Sequence, residues 1–190
     1  MFITCSGLPY YRDKRKNMYI DNNPEKHRQS IKDILLFRFL TDREIDDLLS
    51  MCEVQVYSEG EKIVKEADID QAFYAIINGS VEVAVDEGRR KSVYICTIGS
   101  GEIFGEAGMF MKVKRTANVN SLSETTLLHI TRKSFIQFIK KYPTTGNKLL
   151  MVIVYSLLKK LRAANQELAF ERKFDIQQDD VDAIVDEFLN

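Results

Sequence analysis

Tryptophan is absent from this chain of 190 residues, proline and cysteine each occur three times, and histidine occurs twice. Cys5, Cys52 and Cys96 show no CxxC spacing, which argues against a disulfide framework and against a cysteine-based zinc site. His27 lies in a polar stretch and His129 in an apolar one, each without a sequence partner that would make a catalytic or metal-ligating pair. With no Ser/His/Asp or Cys/His arrangement and no P-loop, the sequence predicts neither an enzyme nor a resident cofactor or metal. Apolar runs are short: Leu149–Tyr155 falls far below the roughly 20 residues that a membrane span needs. Met1-Phe2-Ile3-Thr4-Cys5 lacks the basic start and apolar stretch of a secretory signal, so a cytoplasmic protein with no membrane partner is expected. An excess of one charge is also missing. Lys and Arg total 27 against 28 for Asp and Glu, and a net charge of −1 gives no general pull toward nucleic acid.

What is present is a globular composition, 45% hydrophobic, in a length suited to one domain with appendages. Residues 1–29, with the basic cluster Arg12-Asp13-Lys14-Arg15-Lys16, have no sustained period and read as an N-terminal extension. Ile31, Ile34, Leu35, Phe37 and Leu40 suggest a helix, and Thr41-Asp42-Arg43-Glu44 is a capping box opening a second one. Strand signals then run from Val54 to Ile130. Asn78-Gly79, between two β-branched runs, is a hairpin signal, and Gly88 and Gly99-Ser100-Gly101 mark further turns. Many short strands at close spacing predict an antiparallel jelly-roll barrel, in an α+β fold with flanking N-terminal helices and a long C-terminal helix. Thr131 is placed to cap a helix carrying Phe135, Ile136, Phe138 and Ile139, which breaks at Tyr142-Pro143.

The most chemically specific stretch is residues 101–119. Glycines at 105 and 108 let the backbone come close to an anion, Arg115 supplies a permanent charge with a planar fork, and Glu106 can accept a hydrogen bond from a sugar hydroxyl. Together they could grip a cyclic sugar phosphate. Arg115 is expected to be an exposed loop residue.

The stretch Phe104-Gly105-Glu106 followed by Arg115-Thr116-Ala117 resembles the phosphate-binding cassette of cyclic-nucleotide-binding domains, as found in the catabolite activator family, cyclic-nucleotide-dependent kinases and cyclic-nucleotide-gated channels. The resemblance runs from about Ile31 to Ala169. It implies that Glu106 holds the ribose 2′-hydroxyl and Arg115 the cyclic phosphate of cAMP or cGMP, with backbone amides at Gly105, Ala107 and Gly108 assisting. Lys114 stands where the family often has proline. Arg115-Thr116-Ala117 is similar to the Arg-Thr-Ala run of cyclic-GMP-dependent kinases, where the threonine is associated with guanine preference. A regulatory or interaction module that keeps the fold without binding a nucleotide is the alternative.

Leu150, Val154, Leu157, Leu161, Ala164 and Leu168 are spaced 4-3-4-3-4, a heptad seam in a helix spanning 143–171. This resembles the dimer-forming helix of the catabolite activator family and implies a homodimer. The same resemblance places a base contact near Lys160 and Arg162, with Asn165 possible beside them; solvated flanks of a packed helix are the other reading. Residues 172–190 read as an acidic tail with a short helix at Asp179–Leu189, too short and too negative to read DNA. The resulting expectation is a stand-alone cyclic-nucleotide sensor that signals to a protein effector through its last helix.

Overall fold

A computed structural model describes residues 18–87 and 91–189. In chain order its elements are β1 (Tyr19–Ile20), a 3-10 turn (Pro24–His27), α1 (Arg28–Asp33), α2 (Asp42–Met51), β2 (Glu53–Tyr57), β3 (Lys62–Val64), β4 (Ala72–Asn78), β5 (Ser80–Glu87), β6 (Lys91–Gly99), β7 (Ile103–Phe104), α3 (Glu106–Phe110), β8 (Asn118–Ser121), β9 (Thr125–Thr131), α4 (Arg132–Lys141) and α5 (Pro143–Leu189). The strands form two antiparallel sheets, ordered β1-β2-β9-β4-β7 and β3-β8-β5-β6. The expected antiparallel architecture with flanking helices and a long last helix is present, as two facing sheets rather than a closed barrel.

One core joins the sheets. Tyr57, Tyr74, Ile76, Phe104 and Leu127 from the five-stranded sheet pack with Ile63, Val64, Val81, Ile98 and Val119 from the four-stranded one. The five-stranded sheet is covered on its other face as well, which is why Ala72–Ile77 reads as an unbroken apolar run rather than an alternation. There Phe73 meets Phe135 of α4 edge to face, with ring centroids 5.4 Å apart. The capping box forms as read: Thr41 Oγ1 accepts from Glu44 N, and the Glu44 carboxylate accepts from Thr41 N at 2.7 Å. Such a cap contributes about 1 kcal/mol. Glu44 also accepts from Thr145 in the first turn of α5, so the start of that helix is fastened to α2.

Four expectations change. β1 lies in the segment read as a featureless extension and pairs Tyr19 with Val56; two residues are too few to show a period, and residues 1–17, including the basic cluster, lie outside the described residues. The helix suggested through Leu40 ends at Asp33, where Ile34 is extended (φ −66°, ψ 128°); Ile34, Phe37 and Leu40 are buried from tight turns instead, and Leu35 is exposed. Asn78-Gly79 does not close a hairpin, because β4 and β5 belong to different sheets. Finally, a single helix runs from Pro143 to Leu189 where a break and a short acidic helix were expected, since neither glycine nor proline follows Gly146. The chain divides into two compact units between Leu149 and Leu150.

Candidate functional site

Two segments far apart in sequence build a cradle around one guanidinium. The first is the β3–β4 connection, residues 65–71, leading into Ala72. Ala67 takes a positive φ of 67°, a conformation costly for a residue with a Cβ, and its N–H donates to Arg115 O at 2.9 Å. Arg115 N donates in turn to Asp68 O at 2.8 Å. The second segment is β7 with α3. Phe104 is buried and stacks on Tyr74 with centroids 5.0 Å apart, which fixes where Gly105 begins.

Gly105 is the left-handed cap of α3 (φ 81°), and a Cβ there would stand 2.7 Å from Arg115 Nη1. A Cβ on Gly108 would stand 2.8 Å from the same atom and 3.0 Å from Asp70 O. Both glycines are therefore required by close approach of the arginine side chain, and Gly105 also by its backbone. Ala107 between them is exposed, while Glu106 is buried at 4% exposure.

Arg115 is only 8% exposed, which corrects the expectation of an exposed loop arginine. Nη1 donates to Gly105 O at 2.9 Å, and Nη2 donates to Ala72 O at 2.6 Å and to Asp70 Oδ2 at 2.7 Å. Three donors of the fork are thus taken by protein. Nε is buried and has no hydrogen-bond partner among the described residues. A buried N–H of a cation without an acceptor is costly, and an anionic oxygen at that point would satisfy it. Tyr74 backs the arrangement by donating to Asp70 at 3.4 Å, and burial pushes its phenol above the ordinary range, so it stays a neutral donor.

Thr116 is exposed and Ala117 half-buried, both directly after Arg115. The structure thus brings together Phe104, Gly105, Glu106, Ala107, Gly108, Arg115, Thr116 and Ala117. Lys160 and Arg162 lie on α5 beyond Leu149, in the second unit, both exposed. Asp70, Ala67 and Ala72, absent from the motif, stand 43 to 48 positions before Arg115 and carry no local signal linking them to it. His129, by contrast, is held between Tyr74, at 5.1 Å between ring centroids, and Glu53, at 3.6 Å; burial lowers its pKa, so the ring is a neutral packing element. Among the described residues no three His, Cys, Asp or Glu side chains gather to hold a metal ion, and no helix is long and apolar enough to cross a membrane.

Residues 54–142 match the family model described as the cyclic nucleotide-binding domain. The chain is 28% identical over 133 residues to the cyclic AMP receptor protein of Thermus thermophilus, which covers 70% of this chain and 60% of that protein. It is 30% identical over 122 residues to a cGMP-dependent protein kinase of Plasmodium berghei, covering 64% of this chain and 13% of the kinase. The chain thus spans 60% or less of the length of these curated relatives. Among solved structures, the catabolite activator protein of Thermus thermophilus superposes with a TM-score of 0.60 at 27% identity, over 71% of this chain and 62% of that one. A cyclic nucleotide-binding domain from Methylobacillus flagellatus superposes with a TM-score of 0.68 at 23% identity, over 77% and 84% of the two chains, a likeness of fold.

Proposed function

We propose that this chain, whose residues 54–142 are a cyclic nucleotide-binding domain, is a non-enzymatic sensor of cAMP or cGMP that passes its bound state to a protein effector through α5. The observation that carries the reading is the Arg115 guanidinium: buried, wedged between two glycines that leave no room for a Cβ, and with Nε lacking an acceptor among the described residues. In this reading a cyclic phosphate oxygen accepts from Nε, while Glu106 accepts from the ribose 2′-hydroxyl, since a carboxylate repels the phosphate itself. The nucleotide does no chemistry; its worth is the free energy with which it favours the folded cradle that holds it.

Thermal unfolding tests this directly. A ligand that binds only the folded chain adds about 2.7 kcal/mol at a hundredfold excess over its dissociation constant, so cAMP or cGMP is expected to raise the melting midpoint. A midpoint indifferent to both nucleotides at millimolar concentration removes the proposal.

Base choice rests on Thr116, whose exposed hydroxyl follows the phosphate arginine. It can donate to the phosphate in either nucleotide and also accept from the exocyclic amino group of a guanine folded over the sugar. One neutral hydrogen bond is worth about 0.5–1.5 kcal/mol, which limits discrimination to roughly tenfold. Both nucleotides are expected to bind, with Thr116→Ala weakening cGMP more than cAMP in a direct titration. Equal losses would assign Thr116 to the phosphate alone.

A homodimer through α5 completes the proposal. Along the heptad seam Val154, Leu161 and Leu168 are 48%, 57% and 53% exposed, an apolar line that a second copy would cover. Sedimentation is expected to find a dimer for the parent and a folded monomer for the Leu157→Glu, Leu161→Glu double variant. A parent that stays monomeric at high concentration excludes it.

A further inference from the structure

Arg132 joins the two segments that hold Arg115, and we propose that it is a positioning residue for the cradle, tying α3 to the first turn of α4. Its backbone N–H donates to Gln71 O at 2.8 Å. Gln71 stands between Asp70 and Ala72, the two residues that accept from Arg115 Nη2. The Arg132 side chain reaches the other segment: Nη1 donates to Met109 O at 3.0 Å and to Phe110 O at 3.1 Å. Those carbonyls close α3, the five-residue helix whose cap, Gly105, accepts from Arg115 Nη1. One residue on α4 therefore grips both walls that Arg115 touches.

The chemistry suits the task. The last carbonyls of a helix have no intrahelical donor, and a cation there meets both their hydrogen-bonding need and their partial charge. A helix this short has little stability of its own, so its orientation is set by such outside contacts. α4 is itself anchored: Thr131 Oγ1 accepts from Ser134 N at 3.1 Å, and Ser134 Oγ donates to Met51 O at 2.7 Å at the end of α2. Arg132 thus holds α3 against a fixed post, and with it the amides of residues 105–108. A change in the spacing of the two walls would be felt at the start of α4.

The structural part of this inference stands on the contacts themselves; its effect on ligand affinity rests on the cradle being a nucleotide site. Arg132→Met keeps the backbone bond and the apolar stem but removes the donors, and Arg132→Lys keeps a charge and a donor. Hydrogen exchange without nucleotide reads the amides of Gly108 and Met111, which donate to Gly105 O and Ala107 O. In Arg132→Met they are expected to exchange about tenfold faster, with β5 and β8 unchanged and Arg132→Lys recovering part of the loss. Calorimetry with cAMP and cGMP is expected to show a several-fold weaker dissociation constant for Arg132→Met, without loss of the fold. Parent-like exchange in α3 overturns the tie, and so does faster exchange spread equally through β5 and β8, which would make Arg132 a general stabiliser. Local loosening with unchanged nucleotide affinity overturns its positioning role. A parent that takes up neither nucleotide overturns the nucleotide site, while the exchange result still decides whether Arg132 holds α3.

Discussion

Arg115→Ala is expected to lose nucleotide affinity and fold stability together, the first by one to two powers of ten and the second by about 2–3 kcal/mol. The ligand loss follows from removing a charged donor to the phosphate, an interaction worth about 1.5–3 kcal/mol. The stability loss follows from what the guanidinium does without a ligand. It satisfies Gly105 O and Ala72 O inside the cradle and neutralises Asp70, whose side chain is 40% exposed. Truncation takes the guanidinium donor from both carbonyls, of which Gly105 O keeps the Gly108 N–H, while water can reach the carboxylate and softens that part of the penalty. Arg115→Lys should fall between: a single ammonium keeps the charge but cannot span acceptors laid out for a planar fork. Urea unfolding and calorimetry on the same preparations separate the two losses. A variant as stable as the parent would mean that the three hydrogen bonds are not made in solution, and parent-like affinity would put the phosphate elsewhere.

This double role explains which parts of the site could be read from sequence. Gly105, Glu106, Gly108 and Arg115 lie within eleven consecutive positions, and the demands of an anion on backbone and charge leave a local pattern there. Asp70 and Ala67 leave none. An acidic residue in a turn looks like solvated surface, and an alanine gives no hint of a positive φ. The burial of Arg115 leaves no local pattern for the same reason, because two of its three side-chain partners, Asp70 and Ala72, stand more than 40 positions earlier.

At the level of fold, elements defined by short-range chemistry were legible: the Thr41–Glu44 capping box and the Thr131 cap both form. Pairing of strands was less so, because a turn signal states that the chain bends and not which strand lies beside which. Asn78-Gly79 joins β4 to β5, yet β4 pairs with β7 and β9, and β5 with β6 and β8. The turn carries the chain from one sheet to the other across the edge of the core.

Among the described glycines, Gly79 is accordingly the position where the smallest added side chain should do most harm to the fold. Its φ is 90°, and an added Cβ would lie 2.6 Å from Glu124 O, 2.7 Å from Thr125 Oγ1 and 2.8 Å from Thr125 Cα. Two of those atoms are backbone and cannot swing aside, and Thr125 is fully buried with its one hydroxyl proton shared between Ser80 O at 3.1 Å and Ser123 O at 2.9 Å. Gly79→Ala therefore combines a disfavoured backbone conformation, worth about 1–2 kcal/mol, with displacement of the start of β9. A total of roughly 3–5 kcal/mol is expected, a large share of the about 5–15 kcal/mol that holds a domain folded. Gly101→Ala is the matching control, with a similar φ of 87° and nothing within 4 Å of the added Cβ. It should cost only the conformational part. If urea denaturation gives the two variants the same midpoint, the close approach of residues 124 and 125 to the turn is not a feature of the folded chain.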